Sequence, residues 1–238
     1  MPDLSTLAGT VRILSREEVF SELVRRLEAR AARGRFTVGL SGGSTPKAFY
    51  AWAAASRRLS DAVLTRADWH VSDERCVPLD SDDSNFGHAV RGLLNPLGVP
   101  AARRFPWPVE LAPEEAAGRY AAARAPGEAF DLCVLGLGDD AHVASLWPGC
   151  PLIGRTEGPA FAATEWPGRG WRLTVTRPGL ARCGEILVLV NGASKAQALK
   201  AVCEGPPDPS RFPGQLLREI ASKVTWLADA EAASALRG

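Results

Sequence analysis

Asp131-Leu132-Cys133-Val134-Leu135-Gly136-Leu137-Gly138-Asp139-Asp140-Ala141-His142 is the stretch on which the reading of the whole chain turns. Its first six residues are short and almost wholly apolar, as expected of a strand buried on both faces of a parallel sheet. A Gly-x-Gly and two carboxylates follow at once. In open α/β sheets ligands bind beyond the carboxyl ends of the strands, so Asp140 and His142 stand where a substrate would arrive. The chain has three histidines, His70, His88 and His142. His70 lies in the strand-like run Asp68-Trp69-His70-Val71-Ser72 and His88 in a helical segment, which leaves His142 as the candidate imidazole base. The competing bland reading is a helix-capping or satisfied surface histidine.

Downstream, Cys150 to Gly170 is rich in Gly and Pro and reads as an irregular excursion. Trp171-Arg172-Leu173-Thr174-Val175-Thr176 alternates as a strand, turned by Arg177-Pro178-Gly179-Leu180. Glu185 to Asn191 is a second apolar strand, passing through Gly192-Ala193-Ser194 into a helix that begins at Lys195. Lys195, one of only four lysines, thus sits at a strand-to-helix junction. Lys223 to Asp229 reads as the last strand.

Upstream, Ser15-Arg16-Glu17-Glu18 is a capping box that opens a helix with Val19, Phe20, Leu23, Val24 and Leu27 on one face and Gly34 as its stop. Phe36 to Leu40 reads as a strand. Ser41-Gly42-Gly43-Ser44-Thr45-Pro46 turns it into a helix, with Thr45 expected as N-cap and Pro46 at the first position. Glycines that let the backbone approach closely, followed by free N–H groups at a helix start, form a phosphate-loop geometry. The same residues satisfy Gly-x-Ser-x-Gly (Gly39, Ser41, Gly43), the nucleophile elbow of serine esterases, which would make Ser41 the nucleophile. After the strand Ala67 to Ser72 comes Asp73-Glu74-Arg75, either a surface ion network or a guanidinium clamp for phosphate oxygens. A helix is expected from Ser84 to about Leu97, a loop from Pro100 to Pro113, and a further helix to about Arg124. Alternating strands and helices predict an α/β fold: a doubly wound, mostly parallel, Rossmann-like sheet flanked by helices, with residues 1–238 as one domain.

With 28 basic and 27 acidic residues among 238, net charge +1, no field of one sign points to nucleic acid or an anionic membrane, so any anion site must be local. Five cysteines, at 76, 133, 150, 183 and 203, form neither a Cys-x-x-Cys nor a zinc spacing, and their odd number argues against a disulfide framework. A reducing cytoplasm is expected. Neither a signal-peptide pattern nor a run of 18 apolar residues is present.

Together these segments resemble the 6-phosphogluconolactonases over roughly Phe36 to Ala233. The resemblance is carried by Leu40-Ser41-Gly42-Gly43-Ser44-Thr45-Pro46, by Asp73-Glu74-Arg75-Cys76-Val77-Pro78 with Ser84-Asn85-Phe86, by Gly136-x-Gly-x-Asp140-x-His142-x-Ala144-Ser145-Leu146-x-Pro148-Gly149, and by Gly192-x-x-Lys195-Ala196. Two positions depart from the family pattern: Ala141 replaces a usual Gly and Val143 a usual Thr. The resemblance implies the fold shared with glucosamine-6-phosphate deaminases and, more distantly, ribose-5-phosphate isomerases. It also implies hydrolysis of 6-phospho-D-glucono-1,5-lactone in the oxidative pentose phosphate pathway, without metal or organic cofactor.

In that role His142 would be the base for water attack. Asp140 or Asp73 would orient the imidazole, and the phosphate would lie on the Gly42, Gly43, Ser44 and Thr45 amides beneath Arg75 and Lys195. Asp73 would also belong to the substrate site. A monomer or weak homo-oligomer is expected, with a phosphorylated sugar lactone as partner. A deaminase would need an acidic residue shortly after the histidine, and Val143 to Trp147 contains none. A non-catalytic sugar-phosphate sensor would keep the phosphate groups and lose the histidine.

Overall fold

The computed structural model describes residues 3–124 and 128–237. The chain opens with β1 (Leu4–Thr6) and β2 (Gly9–Ile13), then runs through α1 (Arg16–Ala31), β3 (Phe36–Leu40), α2 (Ser44–Ser56), α3 (Asp61–Arg66) and β4 (Ala67–Val71). After β5 (Asp73–Arg75), α4 (Asn85–Ala89) and α5 (Pro113–Ala122) come β6 (Leu132–Gly136), β7 (Phe161–Trp166) and β8 (Gly170–Val175). The last third holds α6 (Arg177–Arg182), β9 (Glu185–Val190), α7 (Ala196–Cys203), β10 (Val224–Ala228) and α8 (Ala230–Ala233), with a 3-10 stretch over Pro213–Lys223.

Among the described residues seven strands form one sheet in the order β1-β2-β10-β9-β6-β3-β4, parallel throughout except for β1 at the edge. The mostly parallel sheet flanked by helices is therefore as expected. Helix α1 begins as its sequence dictates: the Ser15 N–H donates to Glu18 Oε2 at 2.7 Å and the Glu18 N–H to Ser15 Oγ at 3.4 Å. Its Val19, Phe20, Leu23 and Leu27 are buried in the same core as the strands, and Phe20 meets Phe49 of α2 edge-on at 5.7 Å. No helix among the described residues is long and apolar enough to cross a membrane.

Several expectations need correction. Residues 150–170 are not simply irregular, because β7 pairs with β8 and β8 with β5 in a second, three-stranded antiparallel sheet. Ser72 ties the two sheets together: its N–H donates to Leu40 O at 2.7 Å and its carbonyl accepts from the Val175 N–H at 2.8 Å. The small sheet thus overhangs the carboxyl edge of the large one. The helix after Ser84 keeps α geometry only to Ala89 and continues as a π turn, with the Asn95 N–H reaching Val90 O. The helix after β3 is capped by Gly43, so Thr45 lies inside its first turn and Pro46 is not its first residue. The amino-terminal strands had no counterpart in the sequence reading. There β2 pairs in parallel with β10, and Trp226 Nε1 donates to Ala8 O at 2.8 Å.

Candidate functional site

In a parallel sheet every strand delivers its carboxyl end to the same edge, and here β3, β6 and β9 open there into a cleft of about 260 Å³, walled on one side by the second sheet. Leaving β3, Ser41 is nearly buried and its carbonyl accepts from Tyr50 Oη at 2.6 Å, which fixes the loop on its own helix. Gly42 follows pressed against Asn85: a Cβ at position 42 would lie 1.8 Å from Asn85 Oδ1, so no side chain fits. Gly43 is not the crowded position, since a Cβ there meets only Pro46 at 3.6 Å. Ser44 and Thr45 then begin a 13-residue helix with no acidic residue in its first turn, leaving its positive end uncompensated toward the cleft.

Beyond β6 the chain makes the tight turn that its Gly-x-Gly predicts. The Gly138 N–H donates to His142 O and the Ala141 N–H to Gly138 O, both at 2.9 Å. Ala141 takes φ = 64°, the left-handed conformation for which glycine is the easier residue; this alanine holds the turn against that preference. Asp140 Oδ1 is 2.6 Å from His142 Nδ1 and also accepts the His142 N–H at 3.1 Å. The imidazole hydrogen bond outweighs partial burial and draws the Asp140 carboxyl down to about 2. With Nδ1 engaged, Nε2 is the ring atom free to act. The His142 ring meets Trp166 of β7 at 5.2 Å and 79°. Val143 is wholly buried, so the hydroxyl missing there is missing from the core.

Of the two carboxylates considered for the imidazole, Asp140 is the one in contact. Asp73 instead accepts from Ser145 Oγ at 2.7 Å and Ser72 Oγ at 3.2 Å. The Asp73-Glu74-Arg75 run divides by strand alternation: Asp73 and Arg75 line the cleft while Glu74 is fully buried. Burial pushes the Glu74 carboxyl up, against donation from Ser84 Oγ and the N–H groups of Phe86, Asn85 and Arg75. Those bonds moor the start of α4, and with it Asn85.

The other histidines stand elsewhere. Burial, aided by the nearby Arg124, holds the His70 imidazole well below the ordinary histidine range, and His88 is 2.7 Å from Lys47 Nζ. Ser41 makes no hydrogen bond to a histidine among the described residues, as a nucleophile elbow would require.

Lys195 and Arg75 both line the cleft. Lys195 Nζ pairs with Asp139 Oδ1, which also accepts from Ser194 Oγ at 3.1 Å; Arg75 lies 3.8 Å from Asp83 Oδ1. The lysine's hydrogen bond lowers the Asp139 carboxyl. All nine residues expected at the site from sequence (Gly42, Gly43, Ser44, Thr45, Asp73, Arg75, Asp140, His142 and Lys195) fall at this cleft, Asp140 through its contact with His142. Sequence reasoning missed Trp166, Arg169, Arg172, Asn85 and Asn191, which also line it. Among the described residues no group of three His, Cys, Asp or Glu side chains is placed to hold a metal.

The profile of "Glucosamine-6-phosphate isomerases/6-phosphogluconolactonase" matches residues 15–226. The chain belongs to this family. A Synechocystis protein described as 6-phosphogluconolactonase is 34% identical over 97% of this chain and 100% of its own length. Among solved structures, a devB protein superposes with a TM-score of 0.83 at 28% identity, covering 95% of this chain and 99% of its own. The 6-phosphogluconolactonase of Trypanosoma brucei does so with a TM-score of 0.79 at 25% identity, over 96% and 99%. Within the family, the cleft of this chain presents an imidazole backed by a carboxylate opposite an amide-rich helix start and several cations. That is equipment for proton transfer on an anionic substrate.

Proposed function

We propose that this protein is a 6-phosphogluconolactonase, a carboxylic ester hydrolase converting 6-phospho-D-glucono-1,5-lactone to 6-phospho-D-gluconate in the oxidative pentose phosphate pathway. The observation that carries the reading is the Asp140–His142 pair, 2.6 Å apart, in the same cleft as the Gly42 to Thr45 helix start. The phosphate rests on the amides of Gly42, Gly43, Ser44 and Thr45, with Arg75 and Lys195 over it, and Asp73 receives sugar hydroxyls. Binding energy at the phosphate then holds C1 in register for attack.

A water attacks C1 as His142 Nε2 takes one of its protons. Asp140 keeps the opposite ring nitrogen protonated and supports the imidazolium that forms. Negative charge on the carbonyl oxygen develops in a cleft walled by cations. The C1 to ring-oxygen bond then breaks, and the proton on Nε2 passes to the departing ring oxygen, giving the open acid and restoring the neutral imidazole. No step calls on a metal or cofactor. The protein acts as one α/β unit, a monomer or weak homo-oligomer, in a reducing cytoplasm; the five free cysteines are consistent with that compartment.

The test is an assay on freshly prepared lactone coupled to oxidation of 6-phosphogluconate, with glucosamine 6-phosphate as the competing substrate. Hydrolysis well above the spontaneous rate, with no ammonia from the amino sugar, is expected. Ammonia release, or no acceleration on the lactone, overturns the reading.

A further inference from the structure

Arg75 and Arg172 are direct cross-strand partners in the antiparallel β5–β8 pair, and both line the cleft. Directly opposed side chains in such a pair have Cβ atoms about 5 Å apart, and like charges placed there repel. Among the described residues no carboxylate lies within 4 Å of Arg172, and its one hydrogen bond is to the neighbouring Trp171 O at 3.1 Å; the charge of Asp73, a carboxylate bonded to Ser145 and Ser72, favours the cation only from beyond that distance. Among the described residues the only carboxylate within 4 Å of Arg75 is that of Asp83, 3.8 Å away on a largely exposed side chain, and the Asp83 backbone carbonyl accepts from Arg75 Nη1 at 2.5 Å. Lys195 differs, because Asp139 already holds it.

Arg172 is also half-buried. That burial, and then the charge of Arg75, make its cationic form harder to hold than that of a free arginine. Its guanidinium is 6.0 Å from the Trp166 ring, which limits where the group can point. A fold that sets two guanidiniums side by side into a cavity, with no ion pair to Arg172 and only a long, exposed one to Arg75, has left room for an anion.

We infer that Arg172 is a substrate-binding residue that closes with Arg75 as a two-guanidinium fork on a phosphate monoester dianion. Two planar forks match the oxygens of a dianion better than a single cation, and binding the anion relieves the repulsion between them. The substrate assignment rests on the lactonase reading above; the anion site rests on the register alone.

Melting temperature against inorganic phosphate, in a buffer free of other oxyanions, separates the two. Wild type is expected to gain stability with phosphate. Arg172→Leu should lose most of that gain yet melt no lower than wild type without phosphate, because it removes a like-charge contact, and Arg172→Lys should recover part of the gain. In kinetics, Arg172→Leu should raise KM for the lactone 6-phosphate about 10- to 100-fold, with a loss on unphosphorylated gluconolactone at least tenfold smaller. Phosphate-dependent melting in wild type but not in Arg172→Leu, without any lactonase activity in wild type, would refute the lactonase reading and leave the fork standing. Wild type unmoved by phosphate, a full phosphate response in Arg172→Leu, or equal losses on the two lactones would overturn the fork.

Discussion

Gly138 offers a perturbation that removes no functional group. A Cβ built at this position would stand 2.0 Å from His142 Nδ1, 2.3 Å from its Cε1 and 2.5 Å from Asp140 Oδ1, where ordinary contact begins near 3.4 Å. The imidazole or the turn must therefore move by about 1.4 Å, the difference between 3.4 and 2.0 Å, in the Gly138→Ala protein. Gly138 is not among the residues with positive φ, so alanine meets no backbone penalty and the whole effect is steric. A misplacement of about 1 Å at a catalytic group costs on the order of 100-fold in rate. Steady-state kinetics on the lactone should show kcat lowered about 100-fold in Gly138→Ala, with KM within about threefold, since the phosphate contacts lie on other loops. Far-UV circular dichroism and melting should remain close to wild type, because the clash is at a partly exposed turn. A Gly138→Ala protein with wild-type kcat would refute the claim that the Asp140–His142 geometry is what drives turnover.

Other outcomes follow from the same geometry. Ser41→Ala should keep most activity, and a fluorophosphonate should leave the wild type unlabelled; a stoichiometric adduct on Ser41 would move the chemistry to an acyl-enzyme. Lys195→Ala and Arg75→Ala should each weaken use of the phosphorylated lactone by roughly 1.5 to 3 kcal/mol while affecting gluconolactone far less, measured as kcat/KM on both. Away from the site, Glu22 is nearly buried, and hydrogen bonds from Arg25 and Arg26, with the charge of Arg12, overcome that burial to hold its carboxyl at about 2 against an ordinary 4.5. A lowered carboxyl stabilises the fold above its unfolded pKa, and this contribution is lost as pH falls from about 4.5 toward 2. Discounted for the solvent around Arg25, it is worth about 1 to 2 kcal/mol, so Glu22→Gln should melt lower than wild type at pH 7 and the gap should close near pH 2.

What could be read from sequence had local causes. The apolar runs of β6 and β9 announce buried parallel strands by composition alone, and the Ser15–Glu18 capping box fixes the start of α1 by a bond between residues three apart. His142 could be found because its two competitors lie inside a strand and a helix. What stayed hidden depends on contacts between distant segments. β7 carries Ala162 and Ala163 between Gly- and Pro-rich flanks and becomes a strand only because β8 and β5 are there to pair with it. The place of Arg172 in the cleft follows from its register opposite Arg75, which no spacing within either segment records. Which of Asp73 and Asp140 touches the imidazole is likewise visible only in three dimensions: Ser145 bonds the former, and the tight turn brings the latter to His142. The amino-terminal β2 forms against β10 from the far end of the chain.

The most direct measurement of the central claim is the turnover of fresh 6-phosphogluconolactone by His142→Ala beside wild type, with folding checked by melting. A fall in kcat of roughly 100- to 10,000-fold, with KM little changed, is the result expected of a lost general base. A folded His142→Ala protein that turns over the lactone at near the wild-type rate would contradict it.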